Sequence, residues 1–248
     1  MGPVTAIVIA SAATGDPALA GYSSNGSKSL IDINGRPAVL YVLENLRACE
    51  RVSNIALVSD RMTYELVAGA DFFVEASASE PQDVMRAVRA AGDSERCLIM
   101  PGDLPLASSD AIADLLRYAP DCDVVYPVVG ETDMREVYPG KRAFYIGTKQ
   151  GRFTGSGAVL FKPEAALLRE ELITDILNAR RNPKSMIGLL GAGLAIRLMF
   201  GKPAIADFEI QLSKALGATC RVFISHYPEL VYSIDSPEDI ELMASELS

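Results

Sequence analysis

Four segments of the sequence carry groups able to manage a polyanion and a hard cation. Gly102-Asp103-Leu104-Pro105 follows the apolar run at 97–100 (CLIM). A carboxylate leaving the end of a buried strand suits a hard cation with oxygen ligands, and equally a turn or helix cap. Asp235, in Ser233-Ile234-Asp235-Ser236-Pro237-Glu238-Asp239, offers a second carboxylate or a helix N-cap. The stretch 11–28 holds Gly15, Gly21 and Gly26, whose freedom lets backbone amides turn towards phosphates, and ends on the point charge of Lys28. An ordinary surface loop has the same composition. Gly155-Ser156-Gly157 permits close backbone approach to a sugar, or a tight turn before a strand.

The elements that must position these groups read as alternating strands and helices, the pattern of a mostly parallel sheet with helices on both faces. Residues 5–10 (TAIVIA) form a continuous apolar run, as expected of a strand covered on both sides. The long loop 11–29 follows it, and long loops in compact domains are usually functional. Val39, Val42, Leu43 and Leu46 are spaced as one helix face, with Pro37 in a first-turn position. Strands are expected at 54–59, 72–74, 97–100 and 123–129, and helices at 81–91 and 110–118, the latter capped by Ser108, Ser109 or Asp110. Residues 131–152 are polar and turn-rich, and 153–161 read as a loop entering a strand. Residues 164–217 read as a helical insertion broken near Pro183, Gly191 and Pro203, within one domain spanning 1–248. Strands at 218–225 and 230–234 precede a final helix with Pro at its first turn and acids near its positive end.

Composition narrows the ligand. A net charge of −9 argues against a nucleic-acid binder, which needs a basic face to displace counterions. A single triphosphate makes no such demand. Cys49, Cys97, Cys122 and Cys220 are scattered without a C-x-x-C pair, so they read as buried small hydrophobes rather than a zinc site or disulfide framework. No stretch combines the length and apolarity of a membrane span, and the first ten residues lack the basic flank of a signal peptide, so a cytoplasmic location is expected.

Taken together, the order TAIVIA, loop, Lys28-Ser-Leu-Ile-Asp-Ile-Asn-Gly-Arg-Pro37, then Pro101-Gly-Asp-Leu-Pro-Leu106, then Ile234-Asp-Ser-Pro-Glu-Asp-Ile240 resembles the MobA-like nucleotidyltransferases. The resemblance is fullest over residues 4–130 and resumes at 153–161 and 218–242. It implies a Rossmann-like, glycosyltransferase-A-like fold and transfer of an NMP from an NTP to a small phosphorylated acceptor, with release of pyrophosphate. By resemblance, Lys28 and Asp103 are catalytic, Asp103 and Asp235 hold Mg²⁺, and Ala10, Ser11, Ala12, Gly15, Lys28 and Gly102 line the nucleotide. Arg135, Lys141, Arg142, Gly155 and Ser156 fall where the family contacts its acceptor. A homo-oligomer is compatible with all of this.

The loop departs from the family pattern. Ser11 and Ala12 stand where the family has glycines, no arginine occurs before Arg36, and Ser27 replaces a proline. Each added Cβ restricts φ and obstructs backbone approach to a phosphate, while the missing arginine removes a bidentate donor. These changes motivate a second reading, a nucleotide- or nucleotide-sugar-binding protein without transfer activity. A third, a nucleotide-sugar-dependent glycosyltransferase, would draw on Asp121-Cys122-Asp123, although that acidic pair precedes its strand instead of following it. The basic stretch 178–184 suggests contact with an anionic acceptor or an acidic lipid head group, against a solvated helix end, and the apolar stretch 187–200 suggests a lid, an oligomer contact or an interfacial helix, against plain core packing. His226, beside Tyr227 and Pro228, reads as structural.

Overall fold

The protein is described from a computed structural model over residues 2–11, 17–23, 26–67, 69–170, 174 and 201–248. Ala12 and Gly15 of the expected nucleotide loop lie outside the described residues, as do the stretches 178–184 and 187–200.

Strand β1 (Val4–Ile9) is buried at all six positions, the outcome its unbroken apolar run predicts. It pairs in parallel with β4 (Val52–Ser59) on one side and β6 (Arg96–Pro101) on the other, and β5 (Phe72–Glu75) extends the sheet beyond β4. Between them run a separate short hairpin, β2 (Asp32–Ile33) and β3 (Arg36–Pro37), and helices α1 (Ala38–Ala48), α2 (Arg61–Leu66) and α3 (Glu80–Ala90). Alternation along β1 divides the interior into two cores. Val4, Ala6 and Val8 pack with α1 and with α4 (Ser109–Tyr118), whereas Ile7 and Ile9 pack with α3. Ser108 is the cap of α4, its side chain accepting from Ala111 N.

The sheet changes character past β6. A short antiparallel strand, β10 (Val159–Phe161), lies between β6 and β7 (Val124–Gly130), so β7 runs parallel to β6 without touching it. Beyond β7 the chain adds β11 (Cys220–Ser225) in parallel. The carboxyl end of β7 pairs with β9 (Gly151–Gly155), which forms a hairpin with β8 (Ile146–Thr148). The order is β5-β4-β1-β6-β10-β7-β11, with β9 and β8 over the end of β7. In an open α/β sheet, ligands gather at the carboxyl ends of the strands, where the order breaks. Here that break falls at β6 and β10, beside Asp103.

The second half differs in detail from the sequence reading. The polar segment 131–152 contains helix α5 (Glu131–Val137) as well as β8 and the start of β9. Within the expected helical block, the described elements are α6 (Pro163–Leu167) and α7 (Ile205–Leu216). The strand expected at 230–234 is absent from the described ladders. Pro228–Val231 forms a 3₁₀ turn, and the following side chains, Tyr232 and Ile234, enter a third core with Leu19, Ile31, Tyr138 and Met134. Core burial there replaces strand pairing. Helix α8 (Pro237–Glu246) then closes the described chain. All four cysteines are buried and free, and no described helix is long and apolar enough to cross a membrane.

Candidate active site

The site is built on three backbone junctions at the carboxyl end of the sheet. Ala10 N donates to Val58 O at 2.8 Å and Gly102 N to Ile9 O at 2.9 Å, so both amides are spent in continuing the sheet. Ala10 and Gly102 therefore shape the floor and do not offer N–H groups to a phosphate. Gly102 has a steric role. A Cβ there would lie 2.7 Å from Ser29 Oγ and 3.2 Å from Ile9 O, so only glycine lets the 3₁₀ turn Lys28–Leu30 settle onto the end of β6. The buried Ser27 hydroxyl anchors the same turn by donating to Ala10 O at 3.3 Å. The third junction is Ile234 N to Asp103 O at 3.3 Å, which seats the C-terminal segment directly beside the end of β6.

These junctions bring Lys28, Asp103 and Asp235 together. Lys28 Nζ is 2.9 Å from Asp235 Oδ1. The other carboxylate oxygen, Oδ2, accepts from Lys141 Nζ at 2.9 Å and from the Ser233 hydroxyl at 2.8 Å. Asp235 does not cap α8, since Ser236 takes that role and accepts from Asp239 N at 3.3 Å. Its carboxylate is thus left for the site. Burial works against its ionisation, but Lys141 and then Lys28 outweigh burial and hold its carboxyl below the usual aspartate range.

Lys141 belongs to this cluster and not to a separate acceptor surface. Its side chain is 4% exposed, and its three N–H groups meet Ser233 O at 2.7 Å, Asp235 Oδ2 at 2.9 Å and Asp239 Oδ2 at 2.9 Å. The ammonium also lies 4.6 Å from the centre of the Tyr232 ring. Asp239 in turn accepts from Asp235 N at 2.9 Å. Burial and a hydrogen bond to Asp239 raise the Tyr232 hydroxyl above its ordinary pKa, so it stays a donor. Asp239, Ser233 and Tyr232 were not singled out in the sequence. The one available signal was the i, i+4 spacing of Asp235 and Asp239 across the start of a helix.

The remaining candidates are dispersed. Ser156 is buried, its hydroxyl donating to Leu230 O at 2.7 Å and accepting from Ala158 N at 2.9 Å, which ties β9–β10 to the C-terminal segment. Gly155 accommodates Tyr126, whose Oη would lie 2.1 Å from any added Cβ. Arg135 pairs with Glu131 at 2.7 Å on the exposed face of α5, and Arg142 lies near Glu238. Ser11 is half-buried at the loop entrance. His226 is exposed, 3.3 Å from Asp133. Asp121 and Asp123 sit at the opposite end of the sheet, paired with Lys162 and Thr219, so they do not form a strand-end acidic site.

Asp103 and Asp235 are hard oxygen donors that the Ile234 N–Asp103 O hydrogen bond holds in adjoining segments. Among the described residues no three His, Cys, Asp or Glu side chains gather into a metal-binding group. Two carboxylates nonetheless match Mg²⁺, which is commonly held by one or two carboxylates with substrate phosphates and water completing its shell. Oδ1 of Asp235 is the better candidate oxygen, since among the described residues it meets Lys28 while Oδ2 meets both Lys141 and Ser233.

Known proteins share this architecture. A hypothetical transferase from Thermus thermophilus superposes with a TM-score of 0.84 at 27% identity, covering 97% of this chain and 100% of that one. A 4-diphosphocytidyl-2C-methyl-D-erythritol synthase from Anaerococcus prevotii superposes with a TM-score of 0.59 at 14% identity, over 99% of this chain and 98% of that one, a likeness of fold. In sequence, the 2-C-methyl-D-erythritol 4-phosphate cytidylyltransferase of Clostridium perfringens is 28% identical over 120 residues, 45% of this chain and 53% of the relative. The matched region thus spans about half the length of that curated relative. Residues 20–192, well over half of the chain, match the model of the MobA-like NTP transferase domain. The chain belongs to the MobA-like NTP transferase domain family.

Proposed function

We propose that this protein transfers an NMP from an NTP to a small phosphorylated acceptor and releases pyrophosphate, with Mg²⁺ held by Asp103 and Asp235. The observation that carries the proposal is the convergence of Lys28, Asp103 and Asp235 from three distant parts of the chain at the carboxyl end of β6. When bound, the cation would neutralise charge on the triphosphate and on the departing pyrophosphate. An acceptor phosphate oxygen attacks the α-phosphorus, a new P–O bond forms there, and the bond to the bridging α–β oxygen breaks. Such a transfer needs positioning and charge compensation more than covalent help from the protein. Lys28 supplies a point charge on a flexible stem, parked on Asp235 and within reach of a phosphate in the crevice.

The names of the relatives make CTP the first nucleotide to test and a polyol phosphate the first acceptor. Thermal unfolding is followed with each NTP, with and without Mg²⁺, for wild type and Asp103→Ala. A ligand at about 100 times its Kd adds about 2.7 kcal/mol, on the order of 5–10 °C in a chain of this size. The expected result is a base-selective, Mg²⁺-dependent shift that Asp103→Ala abolishes, followed by acceptor-dependent pyrophosphate release. No wild-type shift with any nucleotide, or a shift indifferent to Asp103, would sink the proposal. A shift without pyrophosphate release from the NTP, whichever phosphorylated acceptor is supplied, would replace transfer by nucleotide binding alone.

A further inference from the structure

We infer that Lys141 is a positioning residue which locks Asp235 with a single oxygen, Oδ1, facing the crevice and keeps the Asp235–Asp239 pair from holding a cation of its own. The inference rests on the reading of Asp103 and Asp235 as the ligands of the divalent cation. Three observations carry it. The ammonium is 4% exposed, yet it lies within 2.9 Å of both carboxylates, at the place a cation bridging them would take. Its third proton goes to Ser233 O at 2.7 Å, and the Tyr232 ring covers it at 4.6 Å, so it has neither spare donors nor room to reach a ligand. Finally, Oδ2 of Asp235 is occupied by Lys141 and Ser233 together, which leaves Oδ1 as the oxygen turned to Lys28.

The chemistry follows from charge and geometry. Without Lys141, Asp239 would lose its counter-charge and Asp235 would be held by Lys28 alone. Asp235 would then rotate freely, or a divalent cation would settle between Asp235 and Asp239, away from Asp103. Either change displaces the charge that transfer requires, and a misplacement of about 1 Å costs roughly 100-fold in rate.

The test uses Mn²⁺ alone as the probe, read by calorimetry or by its paramagnetic resonance, together with turnover of the intact protein. Wild type is expected to bind Mn²⁺ at a site lost in Asp103→Asn. Lys141→Met is expected to bind Mn²⁺ even when Asp103→Asn is added, with kcat down about 100-fold and KM for the nucleotide changed by less than about threefold. Lys141→Arg, whose guanidinium also bridges two carboxylates, should recover activity to within about tenfold of wild type. Should Lys141→Met fail to fold, Lys141→Met with Asp239→Asn removes the ammonium and one carboxylate together. It should fold, bind Mn²⁺ only through Asp103 and remain slow. Wild-type Mn²⁺ binding and kcat in Lys141→Met overturn this inference while leaving the proposed function in place, as does full activity in the double variant. Mn²⁺ binding in wild type that ignores Asp103→Asn overturns both.

Discussion

Two charge clusters sit at opposite ends of the same sheet, each built around a basic side chain that is 4% exposed. At the carboxyl end, Lys141 has three acceptors within 2.9 Å, two of them carboxylates fixed by further hydrogen bonds. At the amino end, Arg96 opens β6. It reaches Pro120 O at 3.2 Å and Asp121, 85% exposed, at 3.3 Å, while its Nε and Nη1 find no partner among the described residues. Asp121 also holds Lys162 at 2.9 Å, and Asp123 is tied to Thr219. Both clusters combine buried cations with aspartates. Both draw on distant segments, but only the first matches every proton of its buried cation and leaves one carboxylate oxygen turned to a second lysine. A site is distinguished here by how completely its charges are matched and held, and not by how many it contains.

The largest way to break the contrast is Asp103→Asn. It should lower kcat by on the order of 10³–10⁴-fold while leaving the fold intact, because a carboxylate that anchors a cation supplies several kcal/mol of charge stabilisation; steady-state turnover with a matched circular-dichroism melt reads both. Lys141→Met should cost about 3–5 kcal/mol in urea unfolding, since it strands the buried Asp239 without its counter-charge and leaves Asp235 to Lys28 alone. Gly155→Ala tests packing at the same end. Its Cβ would meet Tyr126 Oη at 2.1 Å, so the variant should lose about 1–3 kcal/mol in the same assay.

Acid should weaken both clusters. Asp235, Asp121 and Asp123 are each held below the ordinary aspartate range, Asp235 by its lysines against burial, Asp121 by Lys162 and Asp123 by Thr219. The stability they confer is complete above the unfolded value of about 3.9 and is lost as pH falls through the lower folded values. The melting temperature should therefore fall between roughly pH 5 and pH 2, and a flat profile would contradict this account. The smallest change is expected from Arg96→Met. It removes a buried charge with two unmatched N–H groups, so stability should stay within about 1 kcal/mol or rise. A loss as large as that of Lys141→Met would erase the distinction between the two ends.

The half of the fold that sequence made legible is the half ruled by short-range pattern. The run TAIVIA, the CLIM strand and the Ser-Pro-Glu-Asp helix start each declare themselves within a few residues. Lys28, Asp103 and Asp235 were legible as a set because each leaves or precedes an element with a clear signature. Lys141 was legible as a charge in a polar segment, placed by resemblance among acceptor contacts and not as a buried residue. Its burial depends on partners 92 to 98 positions away, and nothing local distinguishes a buried lysine from a solvated one. The strand expected at 230–234 failed for a related reason. Its apolar residues are spent on a core made by Leu19, Tyr138 and Met134, a demand that comes from elsewhere in the chain.

The pairing of Lys28 with Asp235 spans 207 positions. Bringing the ends of so long a flexible segment together would cost about 5 kcal/mol in chain entropy, more than one half-exposed ion pair returns. The sheet must therefore assemble first and carry both ends to the crevice. During synthesis the strands that precede residue 228 can fold as they emerge, whereas the candidate site stays incomplete until α8 and the segment before it dock. Assembly of this site is a late event, and a nascent or C-terminally clipped chain would own a nearly complete scaffold with no working centre.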